Sequence, residues 1–300
     1  MYKFQPIIKQ ALWGSESWAV SGFKGSETVV SGGPDDGTPL NQLVSRQREL
    51  LVGHANFSRF AGEFPLLVKF IDARRDLSIQ VHPDDLVARR HGYERGKSEM
   101  WYVLSSAPGA RLFNGLRQQL TPQQYKQMVA DATITQALAA YDVSPGDVFY
   151  IPAGRIHSIG AGCQVAEIQQ TSDVTYRIYD YNRRDAQGHL RPLHTEQAAE
   201  SIDYNVLPDY RTPYPRLSNQ RVPLVSSPHF TTALYDIDRP TTLDYTALDT
   251  FVILIGVAGG GTLQSGGQSA SLRAGEALLL PATATTVQVE GTLTLLETYV

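Results

Sequence analysis

The chain has 300 residues, 42% of them hydrophobic and 19% charged, with a net charge of -4 and a single cysteine. That length allows one large or two ordinary domains with buried cores. The acidic balance offers no basic field to nucleic acid, and one thiol excludes an internal disulfide and fits a reducing compartment.

Few helices are predicted. Thr38 and Pro39 open the run LNQLVSRQRELLVG, with Pro39 in the first turn and Gly53 as a stop, which predicts a helix over about 40–52. Thr121 and Pro122 open a second, QQYKQMVA, with Tyr125, Met128 and Val129 on one face. Asp131 opens a third over ATITQALAAY, where Ile134, Leu138 and Tyr141 recur at helical spacing, so 121–140 reads as a small helical insertion. A short helix is expected after Thr195 in TEQAAESI. Everything between is short, rich in Val, Ile, Tyr and Phe, and punctuated by Gly, Pro and Asp. That pattern is mainly β, a barrel or sandwich carrying inserted helices.

From Asn205 to Phe230 the chain holds five prolines and little periodicity, and reads as an extended connection. Strand material with Gly-rich turns follows it. The expected organisation is a first domain over 1–205, a connection over 206–225 and a second domain over 226–300. The two halves echo one another. PGDVFYIPAGRIH, from Pro145 to His157, aligns with AGEALLLPATATT, from Ala274 to Thr286, matching Gly146 to Gly275 and Pro152 to Pro281. Thr283 and Thr286 stand where the first half has Gly154 and His157, so the second domain is expected to keep the fold and lack metal chemistry.

Four potential metal ligands lie in strand-like runs: Gln80 and His82 in LSIQVHPDD, Glu99 in KSEMWYVL, and His157 in the first-half repeat. Residues two apart on a strand share a face, so Gln80 and His82 look the same way. Imidazole, carboxylate and an amide oxygen make a mixed N/O set suited to a divalent cation, without the thiolates of a structural zinc site. The donor set does not choose among zinc, manganese, cobalt and iron. The remaining histidines, His54, His91, His189, His194 and His229, have no partner at ligand spacing and read as surface or capping residues. Trp101, Tyr102, Phe149 and Tyr150 read as barrel core. The pairs Arg74-Arg75 and Arg183-Arg184 fit either a phosphate or solvent. No run approaches membrane-spanning length, and Gln5 and Pro6 interrupt any apolar leader, so a cytoplasmic location is expected.

Residues 146–157 match G-x5-P-x-G-x2-H, a signature of the cupin superfamily. The runs FPLLVKFIDARRDLSIQVHPDD, GKSEMWYVL, PGDVFYIPAGRIHSIGAG and EIQQTSDVTYRIYDYNR together resemble type I mannose-6-phosphate isomerases of the short bacterial form, and WGSESW at Trp13 to Trp18 is similar to their start. The resemblance is dense from about residue 10 to 200 and thin afterwards. It implies two cupin-type, jelly-roll-like β-barrels in one chain. It also implies one zinc ion on Gln80, His82, Glu99 and His157, and interconversion of mannose 6-phosphate and fructose 6-phosphate through an enediol(ate). Arg177 falls on the family's catalytic arginine and Lys97 on a lysine beside the reacting carbons. Glu167 and Asp173 fall on acidic residues of the pocket, and the proton carrier is left open. The helical insertion is shorter than in longer relatives, so contacts to the phosphate transfer least. Two alternatives stand beside this reading: a metal-containing cupin that binds a sugar or sugar phosphate without turnover, and an isomerase of another phosphorylated aldose such as glucose 6-phosphate.

Overall fold

A computed structural model describes residues 1–185 and 187–300. The chain divides into two compact units. One comprises 1–8, 17–70 and 213–300; the other comprises 9–16 and 71–212. These units do not follow the boundaries read from the sequence, because residues 17–70 group with the C-terminal strands. Contacts distant in sequence explain this. Asn56 Nδ2 donates to Thr250 Oγ1 at 2.8 Å, Ala282 N donates to the Leu51 carbonyl at 2.8 Å, and Gly53, at φ 85°, passes so close to Asp249 that a Cβ would stand 2.1 Å from its carbonyl oxygen.

Within the 71–212 unit, two sets of antiparallel strands carry the polar interior. In one, Glu99–Ser106 lies between Val148–Ile151 and Cys163–Gln170. The other runs in the order Tyr176–Tyr179, Ile79–Val81, His157–Ile159, Arg111–Leu116, Leu138–Asp142. The two-residue period of a strand divides the second set into faces. Ile79, Val81, Tyr176 and Ile178 are buried with residues of the helices Pro122–Ala130 and Thr195–Ser201. Gln80, His157 and Arg177 belong to the opposite face. Behind them Leu77, Trp101, Val103, Leu112, Phe149, Ile151 and Ile159 fill an apolar plug.

The helix Pro122–Ala130 has a complete capping box from Thr121 and Gln124, with proline in its first turn. The helix expected over 131–141 does not form. Ile134–Ala137 is a single 3-10 turn, and Leu138–Asp142 is a strand whose Tyr141 pairs with Leu112. The spacing of 134, 138 and 141 is helical, and pairing with a neighbouring strand edge overrides it. The expected helix over 40–52 is divided at Arg48, at φ 54°, into Leu40–Gln47 and Glu49–Val52. Helices His54–Phe60 and Asp85–Arg90 were not signalled by periodicity; the latter is capped by Asp84, whose Oδ1 accepts from Val87 N at 2.8 Å.

In the other unit Val222–Ser226, Thr231–Ile237, Thr286–Tyr299, Val252–Ser265 and Gln268–Arg273 neighbour one another in that order. Leu254, Leu263, Leu278, Leu280 and Leu295 lie in its core. The internal repeat is visible in both units. Val148–Ile151 and Ala277–Leu280 occupy equivalent stretches, and Gly146 and Gly275 turn with φ of 88° and 83°. The fold is mainly β as expected, but the strand sets are open jelly-roll sheets rather than closed barrels. Among the described residues no helix is long and apolar enough to cross a membrane.

Gly115, at φ 81° beside His157's partner strand residue, lies under Tyr210, where a Cβ would stand 2.2 Å from the ring. Gly115→Ala should therefore cost about 2–4 kcal/mol, since no rotamer relieves both the backbone and the ring. Denaturant midpoints measure it, and an unchanged midpoint would mean that Tyr210 does not pack there.

Candidate metal centre

Sheet register aligns the polar side chains in rows. Arg177, Gln80, His157 and Asn114 are successive cross-strand partners over four strands. In the other set Ile151, Glu99 and Gln169 form one row, and Phe149, Trp101 and Glu167 the next. Directly paired residues of antiparallel strands project to the same face, so each row delivers its side chains together.

Where the faces meet, one ligand atom each of His82, Glu99 and His157 lies within 4.8 Å of the others, and all three residues are at most 1% exposed. His82 Nε2 stands 3.4 Å from Glu99 Oε2, and His157 Nε2 stands 3.3 Å from Glu99 Oε1. His82 Nδ1 donates to the Val174 carbonyl and His157 Nδ1 to the Arg155 carbonyl, both at 2.8 Å. These bonds fix each ring with its Nε2 lone pair turned inward, the tautomer a metal needs. Gln80 joins them, with its Nε2 3.3 Å from His157 Nε2. Lys97 Nζ lies 3.0 Å from Glu99 Oε2 and 3.8 Å from Glu167 Oε1.

The electrostatics follow from burial and these neighbours. Burial, reinforced by the Lys97 charge, lowers His82 to about 3. Burial also lowers His157. Burial would raise Glu99, but the Lys97 ammonium holds it well below the usual carboxylate range. Lys97 would be lowered by burial, yet Glu99 and Glu167 raise it, so it remains charged.

Does this pocket fit a cation? His82 Nε2 and both Glu99 oxygens are buried without a hydrogen bond; Lys97 lies near Oε2, but not in bonding geometry. Each such buried atom costs about 1–3 kcal/mol. Two imidazole nitrogens, a carboxylate and an adjacent carboxamide are the donors that a divalent ion such as zinc accepts. The fit is good. Among the described residues this is the one group of at least three His, Cys, Asp or Glu so arranged.

The other expected residues divide. Arg177 sits on the row beside Gln80, with Nη1 donating to the Pro192 carbonyl at 3.0 Å and a buried Nε that makes no hydrogen bond. Burial and the charges of Arg191 and Arg183 bear on it. Glu167 is 3% exposed and next to Lys97. Asp173, by contrast, is exposed on the loop before Tyr176, though its charge still acts on Lys97. Arg183 and Arg191 both clamp Asp180, Arg191 through Nε at 2.7 Å, while Arg74 is exposed beside Asp72. His91 and His194 terminate helices, and His194 Nδ1 accepts from Arg177 N.

Periodicity did not single out Asn114 or Gln169, each fully buried with its amide oxygen unpaired. The signal available was a polar residue inside an apolar strand run. Trp101 is core as expected, but it also donates from Nε1 to Glu167 Oε2 at 3.0 Å. In the other unit, Leu280 pairs with Val252 as Ile151 pairs with Glu99, so Val252 and Thr286 occupy the places of Glu99 and His157.

His157→Ala should lower bound metal from near one per chain to near zero, read by elemental analysis; retained stoichiometric metal would refute the ligand set. The His82 value gives a second expectation. In metal-free protein the unfolded state takes up a proton between pH 6.5 and about 3 that the folded state refuses, so stability should fall as pH drops through that window. Denaturant midpoints of chelated protein at stepped pH measure it, and His82→Gln should flatten the slope.

Residues 1–138 match the family description "Phosphomannose isomerase type I, catalytic domain" and residues 222–300 match "Mannose-6-phosphate isomerase, cupin domain". The chain is 36% identical over 285 residues to a mannose-6-phosphate isomerase of Streptococcus mutans, covering 95% of this chain and 88% of that protein. It is 31% identical to mannose-6-phosphate isomerase ManA of Bacillus subtilis, covering 93% and 92%. The crystal structure of a mannose 6-phosphate isomerase from Bacillus subtilis superposes with a TM-score of 0.88 at 27% identity, covering 100% of this chain and 99% of that one.

Proposed function

The chain belongs to the type I mannose-6-phosphate isomerase family, and on that premise we propose that it interconverts mannose 6-phosphate and fructose 6-phosphate in the cytoplasm. One divalent cation, zinc, would be held by Gln80, His82, Glu99 and His157, with Gln80 offering its oxygen after a half-turn of its amide. The observation that carries this reading is the unsatisfied inward set, His82 Nε2 with both Glu99 oxygens, beside a charged lysine and a second carboxylate. On this reading the chemistry belongs to the 71–212 part of the 1–205 segment, and 226–300 is a metal-free cupin domain that residues 17–70 complete.

When bound, the cation supplies Lewis acidity that steadies negative charge on the sugar oxygens. The side chains do the rest. In the aldose-to-ketose direction a proton leaves C2 and one is delivered to C1, while O1 gains a hydrogen and O2 gives one up, by way of an enediol(ate). Glu167 is the proton carrier on this reading, supported by its burial beside Lys97, whereas Asp173 is exposed. Lys97, kept charged between two carboxylates, stabilises oxygen charge rather than accepting protons. Arg177 aims fixed donors at the charge that develops on the enediolate oxygens. Arg183 and Arg191 clamp the one carboxylate of Asp180, and Arg177 lies within reach of all three charges, an excess of positive charge that suits a phosphate ester. A module that only bound sugar would have no use for a buried lysine set between two carboxylates.

Purified protein should turn over mannose 6-phosphate in a coupled assay, lose activity on chelation and regain it with Zn²⁺; no turnover with added Zn²⁺ removes the isomerase reading. Arg177→Ala should lower kcat by roughly 100- to 1000-fold with metal content unchanged, as expected of a donor acting in the transition state. Metal lost together with activity would make Arg177 structural.

A further inference from the structure

Trp101 does more than fill the apolar plug. Its indole is 1% exposed and its Nε1–H donates to Glu167 Oε2 at 3.0 Å, while Glu167 Oε1 faces Lys97 Nζ at 3.8 Å. The same ring meets His157 edge-on, with centroids 5.3 Å apart and planes at 77°. Trp101 and Glu167 are direct cross-strand partners, so the bond lies within one row of the sheet and needs no long side-chain detour.

The internal repeat supplies a control. Trp101 pairs with Phe149 and Glu167; in the other unit Leu254 pairs with Leu278 and Glu297. Leu254 therefore stands at Trp101's place, and an aliphatic side chain meets the packing need there. Glu297 stands at Glu167's place and is held by Arg221 Nε at 2.8 Å. A buried carboxylate is thus kept in both halves, but only the half with the metal ligands orients it with a neutral indole donor. Arginine would neutralise the carboxylate; an indole N–H fixes its rotation and leaves its charge intact.

We propose that Trp101 is a positioning residue: its indole N–H pins Oε2 of Glu167 so that Oε1 faces Lys97 and the substrate carbons. The proposal rests on the isomerase reading for Glu167's role. Preorganising a proton-transfer group in this way bears on kcat rather than on substrate binding. Trp101→Phe removes the donor and keeps most of the ring. Its kcat should fall roughly 10- to 100-fold with KM within about threefold and metal stoichiometry unchanged, while Tm falls because the smaller ring leaves a gap in the plug. Added to Glu167→Gln, the same substitution should change kcat by less than about threefold, because the group it positions is already gone. A measurement free of turnover stands beside these. With three tryptophans in the chain, Glu167→Gln should shift one indole N–H resonance of ¹⁵N-labelled protein and leave the other two in place. A kcat of Trp101→Phe within about threefold of wild type, a loss of metal in that variant, or three unmoved indole resonances in Glu167→Gln would each overturn the proposal. If wild type fails to turn over mannose 6-phosphate, the isomerase reading falls alone, and the indole resonances still decide whether Trp101 holds Glu167.

Discussion

A carboxylate with no solvent exposure sets the terms for this protein. Glu99 is fully buried, and stripping an ion of water costs several kcal/mol unless positive charge or a metal replaces the hydration. The Lys97 ammonium approaches it, and the two imidazoles nearby are held neutral with their lone pairs facing inward. A pocket of lone pairs with one ammonium is poorly satisfied by itself. Supplying a cation there converts two unpaired oxygens and an imidazole nitrogen from liabilities into ligands.

The sheet architecture makes that arrangement possible. Strand alternation commits Ile79, Val81, Tyr176 and Ile178 to the helix-covered face, which obliges Gln80, His157 and Arg177 to point the other way. A register slip of one residue would turn the whole row outward. The apolar cores on both sides hold that register, so the packing and the chemistry depend on the same two-residue period.

The two units show one scaffold maintained under different demands. Equivalent turns and strands recur at Gly146 and Gly275, and at Val148–Ile151 and Ala277–Leu280, while Val252, Thr286 and Leu254 take the places of Glu99, His157 and Trp101. At these places the backbone pairing is kept while the side chains that would hold a cation are replaced.

The sequence by itself determined the mainly β class, the capped helix after Thr121, the internal repeat, the family and the candidates Gln80, His82, Glu99 and His157. These are local signals: strand period, cap chemistry and short motifs survive without knowledge of what lies across the fold. What only the tertiary structure decided are matters of partnership. Residues 134–142 became a turn and a strand because an open edge at Arg111–Leu116 outweighed helical spacing, and residues 17–70 joined the C-terminal strands through contacts nearly two hundred residues apart. Asp173 lies exposed while Glu167 is buried, and Trp101 turns a core ring into a hydrogen-bond donor, because burial and pairing depend on which residues the register brings opposite each other, and a linear pattern does not encode that.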